Sequence, residues 1–269
     1  MILGKEQGDH AAPSAGSGAG AAISIRGVEV RYGQLLALQT VDLDIRQGEF
    51  VCLLGPSGCG KTTLLNVMSG FVRPTAGAAF THGRAIAEPG PDRGMVFQEY
   101  GLFPWLTVEK NIQYGPRLKG AGGDELERVA DRYCKLVGLE RFRKSYPGQL
   151  SGGMRQRAAI ARALANQPDI LLMDEPFGAL DAMTRQVLQE ELLNIWEAER
   201  KTLVFVTHGI AEAVFLADRI IVMSAHPGRI EHIVDNGIPR PRDRTADAHF
   251  ELCRRIELLF QRAGGQRDH

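Results

Sequence analysis

The sequence predicts an α/β fold: a mainly parallel sheet covered by helices, an antiparallel β edge and a helical subdomain. Three observations carry this. The apolar run Phe50 to Leu54 leads through GPSGCGKTT into a helical pattern, the strand, glycine loop and helix unit of parallel sheets. Further strand-sized apolar runs alternate with helices toward the C-terminus, as a helix-covered parallel sheet requires. Between about 105 and 165 the pattern is mainly helical, with Gly and Pro as punctuation.

The elements follow in order. Residues 1–22 are rich in Gly, Ala and Ser without an apolar segment, and are expected to form a disordered leader. From Ile23 to Val30 and from Val41 to Ile45 apolar residues alternate, predicting half-buried strands at a sheet edge. Phe50 to Leu54 reads as a buried strand, and Leu64, Leu65, Val67 and Met68 then supply one helix face. ELERVADRYCKLVGL and MRQRAAIARALA are helices of the central block. Strands return at Asp169 to Met173, Leu203 to Val206 and Arg219 to Met223, separated by helices through QVLQEELLNIW and IAEAVFLA. The segment IPRPRDR and a helix from about Phe250 to Phe260 complete the chain. The domain plan is therefore a leader (1–22), a main α/β unit (23–234, helical at about 105–165) and a C-terminal extension with a short helix (235–269).

Composition bounds the function. The 269 residues are 44% apolar and 24% charged, with 32 Lys plus Arg against 32 Asp plus Glu. That balance carries no signal for nucleic acid. The longest apolar runs are strand-sized, short of the roughly 20 residues that span a bilayer, so any membrane role is expected to pass through a partner. The four cysteines, Cys52, Cys59, Cys134 and Cys253, form no C-x-x-C pair, which fits a reduced setting.

Gly55, Pro56, Ser57, Gly58, Cys59, Gly60, Lys61 and Thr62 complete a G-x-x-x-x-G-K-[ST] phosphate loop between a buried strand and a helix. Glycines let N–H groups curl around phosphates, Lys61 reaches the β- and γ-phosphates, and the Thr62 hydroxyl is placed to ligate Mg²⁺. Asp174 and Glu175 end a later apolar strand. Neighbouring strand side chains point opposite ways, so Asp174 is expected to face metal and Glu175 to polarise an attacking water. His208 ends the next strand, on the carboxyl edge where ligands gather. LSGGMRQR, Leu150 to Arg157, reads as a second helix N-terminus suited to an anion.

Together these residues resemble the nucleotide-binding subunits of ATP-binding cassette (ABC) transporters, over roughly Ile23 to Val234. The resemblance implies a P-loop ABC ATPase core that binds ATP and Mg²⁺. It implies that Tyr32 stacks on adenine, that Gly55 to Thr63 is the Walker A loop, and that Gln98 contacts Mg²⁺ or water beside a permease. Ser151, Gly152 and Gly153 match the signature, Asp174 and Glu175 Walker B and the base, Asp181 the D-loop and His208 the switch histidine. One copy of each motif implies a homodimer with two composite sites, Ser151 and Gly153 acting in trans. PGPDRGMVFQ, PWLTV, PFGALDAMTR and HPGRI resemble the nitrate, sulfonate and taurine importers. That implies a peripheral subunit on the cytoplasmic face of the cell membrane, partnered by an integral permease and, through it, an extracytoplasmic substrate-binding protein. The apolar segment Phe103, Pro104 and Trp105 is expected to line the groove for the permease. Two readings of the same fold stand beside this: a weakly catalytic regulatory subunit of a heterodimer, and a soluble ABC ATPase outside transport.

The sequence departs from the pattern at Met154, where the family has Gln, and at Gly209, where it has Asp. With Ser151 as N-cap, residue 154 is the third helical position, whose Gln would close a capping box that Met cannot. Cys59 lies in the phosphate loop and reads mainly as a small loop residue, with a reactive thiol as the second reading because the N–H groups and Lys61 are expected to lower its pKa. Because Ser151 still caps, Met154→Gln is predicted to change steady-state ATPase rate by less than about tenfold, roughly 1.4 kcal/mol; a larger gain shows an impaired native signature.

Overall fold

Residues 20–178, 180–225 and 227–265 are described in a computed structural model of the chain. Ala179, His226 and most of the expected leader, 1–19, lie outside them. The first strand, β1 (Ala21–Tyr32), takes in the last two leader positions and forms a hairpin with β2 (Leu35–Arg46). Next come β3 (Phe50–Leu54), α1 (Lys61–Ser69), β4 (Ala76–Thr81), β5 (Arg84–Ala85) and β6 (Arg93–Val96). The helical block is α2 (Val108–Leu118), α3 (Gly123–Leu136) and α4 (Gly152–Ala165). It is followed by β7 (Ile170–Asp174), α5 (Ala182–Glu199), β8 (Thr202–Thr207), α6 (Ile210–Leu216), β9 (Arg219–Ser224), β10 (Arg229–Asp235) and α7 (Asp247–Gly265).

The strands divide between two sheets. One is antiparallel in the order β2-β1-β4-β5, and the other runs β10-β9-β3-β8-β7-β6. In the second, β9, β3, β8, β7 and β6 are parallel and β10 is an antiparallel edge. The alternating N-terminal strands thus build a sheet of their own. β2 alternates buried and exposed positions along its second half, whereas every residue of β3, β8 and β9 is buried, as parallel strands covered on both faces must be.

Strand periodicity sorts the core. Phe50, Cys52 and Leu54 of β3 join one cluster with the helical block, α5 and α6, while Val51 and Leu53 join another with α1 and the antiparallel sheet. The first cluster is knit by rings: Phe205 lies 6.2 Å from Phe50 and 5.6 Å from Phe177, and Phe50 lies 5.7 Å from Trp196. Phe177 stands two residues beyond Glu175, so this packing supports the end of β7.

Local chemistry explains the helix starts. Thr107 caps α2, Ser151 caps α4 and Asp181 caps α5, each accepting from the N–H three residues on. The fully buried Asn111 accepts from Phe103 N–H and donates to the carbonyls of Phe103, Leu106 and Thr107, fixing the loop before α2. In the C-terminal segment the buried Arg242 donates to the carbonyls of Val214, Phe215 and Ile238, so IPRPRDR is docked on α6.

Removing the central ring has a defined cost. Phe205→Ala is expected to destabilise the fold by about 3–5 kcal/mol through lost burial and a cavity, read as a lowered denaturant midpoint; a change under about 1 kcal/mol contradicts the packing described.

Candidate functional site

The carboxyl ends of β3, β7 and β8 adjoin one another in the parallel sheet. Each releases a loop that carries polar side chains, which is where open α/β sheets place ligands. After β3, Gly60 adopts φ +88° at the start of α1, and a Cβ there would lie 2.6 Å from Leu38 Cδ2. Only glycine lets the loop turn this tightly against β2.

The loop holds Lys61, 5% exposed, with Nζ donating to the carbonyls of Gly55 at 2.8 Å and Pro56 at 2.9 Å. Glu175 Oε1 is 4.0 Å from the same Nζ, and Glu175 Oε2 is 3.5 Å from His208 Nδ1. Thr62 Oγ1 donates to Asp174 Oδ1 at 3.0 Å. Asp174 and Glu175 are separated by more than strand alternation: β7 ends at Asp174, and Glu175 turns away with φ +41°, its N–H on the Val206 carbonyl at 3.2 Å.

A cavity of about 360 Å³ opens over this loop, lined among others by Tyr32, Ser57, Gly58, Lys61, Thr62 and Glu175. Thr63 also lines it, and the half-exposed ring of Tyr32 stands at the end of β1. Gln98 is exposed in the turn after β6. Ser151, Gly152 and Gly153 are not on the wall of this cavity. Cβ atoms built at Gly152 and Gly153 would meet Leu180 at 3.0 Å and Thr184 at 3.1 Å, so their segment packs against the one that Asp181 begins. The two anion-suited helix starts of one chain therefore serve separate surfaces.

One wall residue carried no local signal. Gly228 pairs with β2, accepting from Gln39 N–H at 2.8 Å and donating to the Ala37 carbonyl at 3.1 Å. A Cβ on it would fall 2.4 Å from the Cys59 carbonyl. It belongs to the HPGRI run, and only its tertiary position reveals that it buttresses the phosphate loop.

Cys59 corrects an expectation. Its side chain is fully buried, and burial pushes the thiol pKa up, outweighing the Lys61 ammonium 3.8 Å away. It is a small core residue under the loop and not an activated thiol.

The oxygens of Thr62 and Asp174 are the hard donors that Mg²⁺ takes. Among the described residues no cluster of three or more His, Cys, Asp or Glu suits a metal, so a cation here would complete its shell with phosphate oxygens and water. Burial raises the Asp174 carboxyl above its ordinary value of 3.8; the Thr62 hydroxyl opposes the rise, Glu175 adds to it and Lys61 opposes it.

That shift has a sign. A carboxyl whose folded pKa is raised costs stability once ionised, and the cost grows as pH rises from its unfolded pKa through its folded one. Asp174→Asn keeps an acceptor for Thr62. In the ligand-free protein its stability relative to wild type should therefore rise as pH climbs from below the ordinary carboxyl value of 3.8 through the raised folded one, read by denaturant unfolding; a flat difference contradicts the burial argument.

Comparison with known proteins places this geometry. The model of the ABC transporter family matches residues 38–178. The chain is 49% identical over 241 residues to the nitrate import ATP-binding protein of Synechococcus elongatus, covering 86% of this chain and 87% of the relative. It is 44% identical over 246 residues to an aliphatic sulfonates import ATP-binding protein of Bacillus cereus, covering 90% and 97%. Among solved structures, a dimeric ATP-binding cassette in a post-hydrolysis state with ADP and Pi superposes at a TM-score of 0.71 and 35% identity, covering 81% of this chain and all of that one. Among the described residues no helix is long and apolar enough to cross a membrane. A glycine loop over a buried lysine, two carboxylates where β7 ends and a histidine just past β8 are how this chain meets that pattern, and it belongs to the ABC transporter family as one of its ATPase cassettes.

Proposed function

We propose that the chain is the ATP-hydrolysing subunit of an importer, driving uptake of a small oxyanion or sulfonate (nitrate, taurine or an alkanesulfonate) through a separate membrane permease. The observation that carries the chemistry is the place of Glu175, between the Lys61 ammonium and the His208 imidazole. A carboxylate there accepts a proton from the attacking water, the new bond forms to the γ-phosphorus, and the bond to the ADP oxygen breaks.

Around that step the chain's residues divide the work. Tyr32 stacks on adenine, and the N–H groups of Gly55 to Thr63 receive the phosphates. Lys61 offers its charge to the β- and γ-phosphates, and His208 contacts the γ-phosphate. Thr62, Asp174 and Gln98 would hold Mg²⁺, which neutralises charge on the phosphate oxygens when bound. Ser151, Gly152 and Gly153, away from the cavity of their own chain, serve the γ-phosphate of a second copy, with Asp181 in the same contact. The working unit is a homodimer whose closure requires ATP.

The permease contact is assigned to the face beyond β6. There a cavity of about 620 Å³ is lined by Phe97, Phe103, Tyr114, Leu118 and Arg162, among others. The Phe103 ring lies 4.6 Å from Tyr114 and 5.6 Å from Trp105, which is 69% exposed. Exposed aromatic rings around a groove suit an inserted apolar helix. The subunit is peripheral, on the cytoplasmic face of the cell membrane, meets an extracytoplasmic binding protein only through the permease, and uses no nucleic acid. Within it, residues 23–234 are assigned to the nucleotide-binding domain, helical at about 105–165, and 235–269 to an extension, although β1 starts before the first bound, at Ala21, and β10 ends just past the second, at Asp235.

Glu175→Gln is predicted to lower kcat by about a thousandfold or more while ATP still binds and holds the dimer together. Steady-state ATPase assays with nucleotide-dependent size analysis check this; hydrolysis within tenfold of wild type sinks Glu175 as the base.

A further inference from the structure

We propose that the C-terminal extension positions the loop bearing His208, through a hydrogen-bonded chain that begins at Arg244. The proposal rests on the hydrolytic reading of Glu175 and His208.

Arg244 lies over the Phe215 ring, its guanidinium carbon 3.4 Å from the centroid, and its Nη2 donates to Gln189 Oε1 at 2.6 Å. Gln189, 2% exposed on α5, donates through Nε2 to Glu212 Oε1 at 2.6 Å. The other Glu212 oxygen accepts from the Thr207 hydroxyl, and the Gly209 N–H donates to that same hydroxyl oxygen at 2.9 Å. Every group plays a role it can hold: the Glu212 carboxylate only accepts, and the Gln189 amide accepts on one side and donates on the other. The chain thus spans the extension, α5, α6 and the end of β8, and it closes on the residue next to His208.

The loop needs such a support. Gly209 is the N-cap of α6 without a side-chain cap, so no side chain of its own fixes the turn. Gln189 and Thr207 are buried and Arg244 and Glu212 partly so, and although Arg244 Nε has no partner, paired groups held away from bulk water orient one another. A single cavity of about 480 Å³ has Glu175, His208, Gly209, Glu212, Gln189 and Arg244 on its wall, so the extension and the proposed hydrolytic pair share one enclosure. His208 itself is 60% exposed, which leaves its direction to the backbone that carries it. Arg244 and Gln189 are accordingly positioning residues; neither touches the reacting atoms.

The test uses the full-length chain. Arg244→Met keeps the packing on Phe215 and removes the donor, and Gln189→Met keeps volume and removes both polar atoms. Each should lower kcat about fivefold with KM for ATP within about twofold, and the double variant should be no worse than the poorer single. Backbone amide exchange at Gly209 should quicken in both, while Arg255→Met, exposed on α7, leaves rate and exchange unchanged. Unchanged kcat, a loss carried by KM alone, additive effects, or unchanged exchange at Gly209 overturns the proposal. A wild-type chain without ATPase activity instead refutes the hydrolytic reading, and exchange at Gly209 still decides whether Arg244 and Gln189 hold the loop.

Discussion

The buried ammonium of Lys61 is the interaction on which the other features depend. A charge taken from water costs several kcal/mol unless it is paired and hydrogen-bonded. Here the partners are two carbonyls of its own loop, with a carboxylate 4.0 Å away. Carbonyls can face inward only if the loop curls, which the positive φ of Gly58 and Gly60 allows. The curl in turn needs rigid footing, and the fully buried β3, β8 and β9 supply it. With its carbonyls on the lysine, the loop is left with N–H groups and positive charge for the cavity, a setting made for polyphosphate.

The same economy shows in the carboxylates. Asp174 takes the Thr62 hydroxyl, and Glu175 is swung out by a positive φ toward lysine and histidine. Two acids in adjacent positions thereby reach different partners. The aromatic stack of Phe50, Phe205 and Phe177 lies beneath them, so the core that stabilises the sheet also holds the segment that presents Glu175.

Much of this was legible because it is local. The glycine loop after Phe50 to Leu54, the acids closing an apolar strand, and Ser151 as a cap are all patterns within a few residues. What was not legible depends on distant partners. β4 (AGAAFT) and β6 (RGMV) lack an apolar rhythm, and become strands only through pairing with β1 and β7. Gly228 matters because the Cys59 carbonyl approaches it, and the direction of the Cys59 shift depends on burial that sequence does not display. Arg242 and Arg244 stand in a run of proline and charge whose function the sequence does not disclose; the fold seats one in the carbonyls of α6 and the other on Phe215.

One chain carries a phosphate loop and a second anion-suited helix start on separate surfaces, so each complete site is assigned to two copies. Mixing two inactive variants tests this most directly. Lys61→Ala removes one half of each site and Ser151→Arg the other, so a heterodimer of the two keeps one intact site. Random assortment then predicts that the mixture regains about a quarter of wild-type ATPase activity. A mixture as inactive as its parents would contradict the composite site.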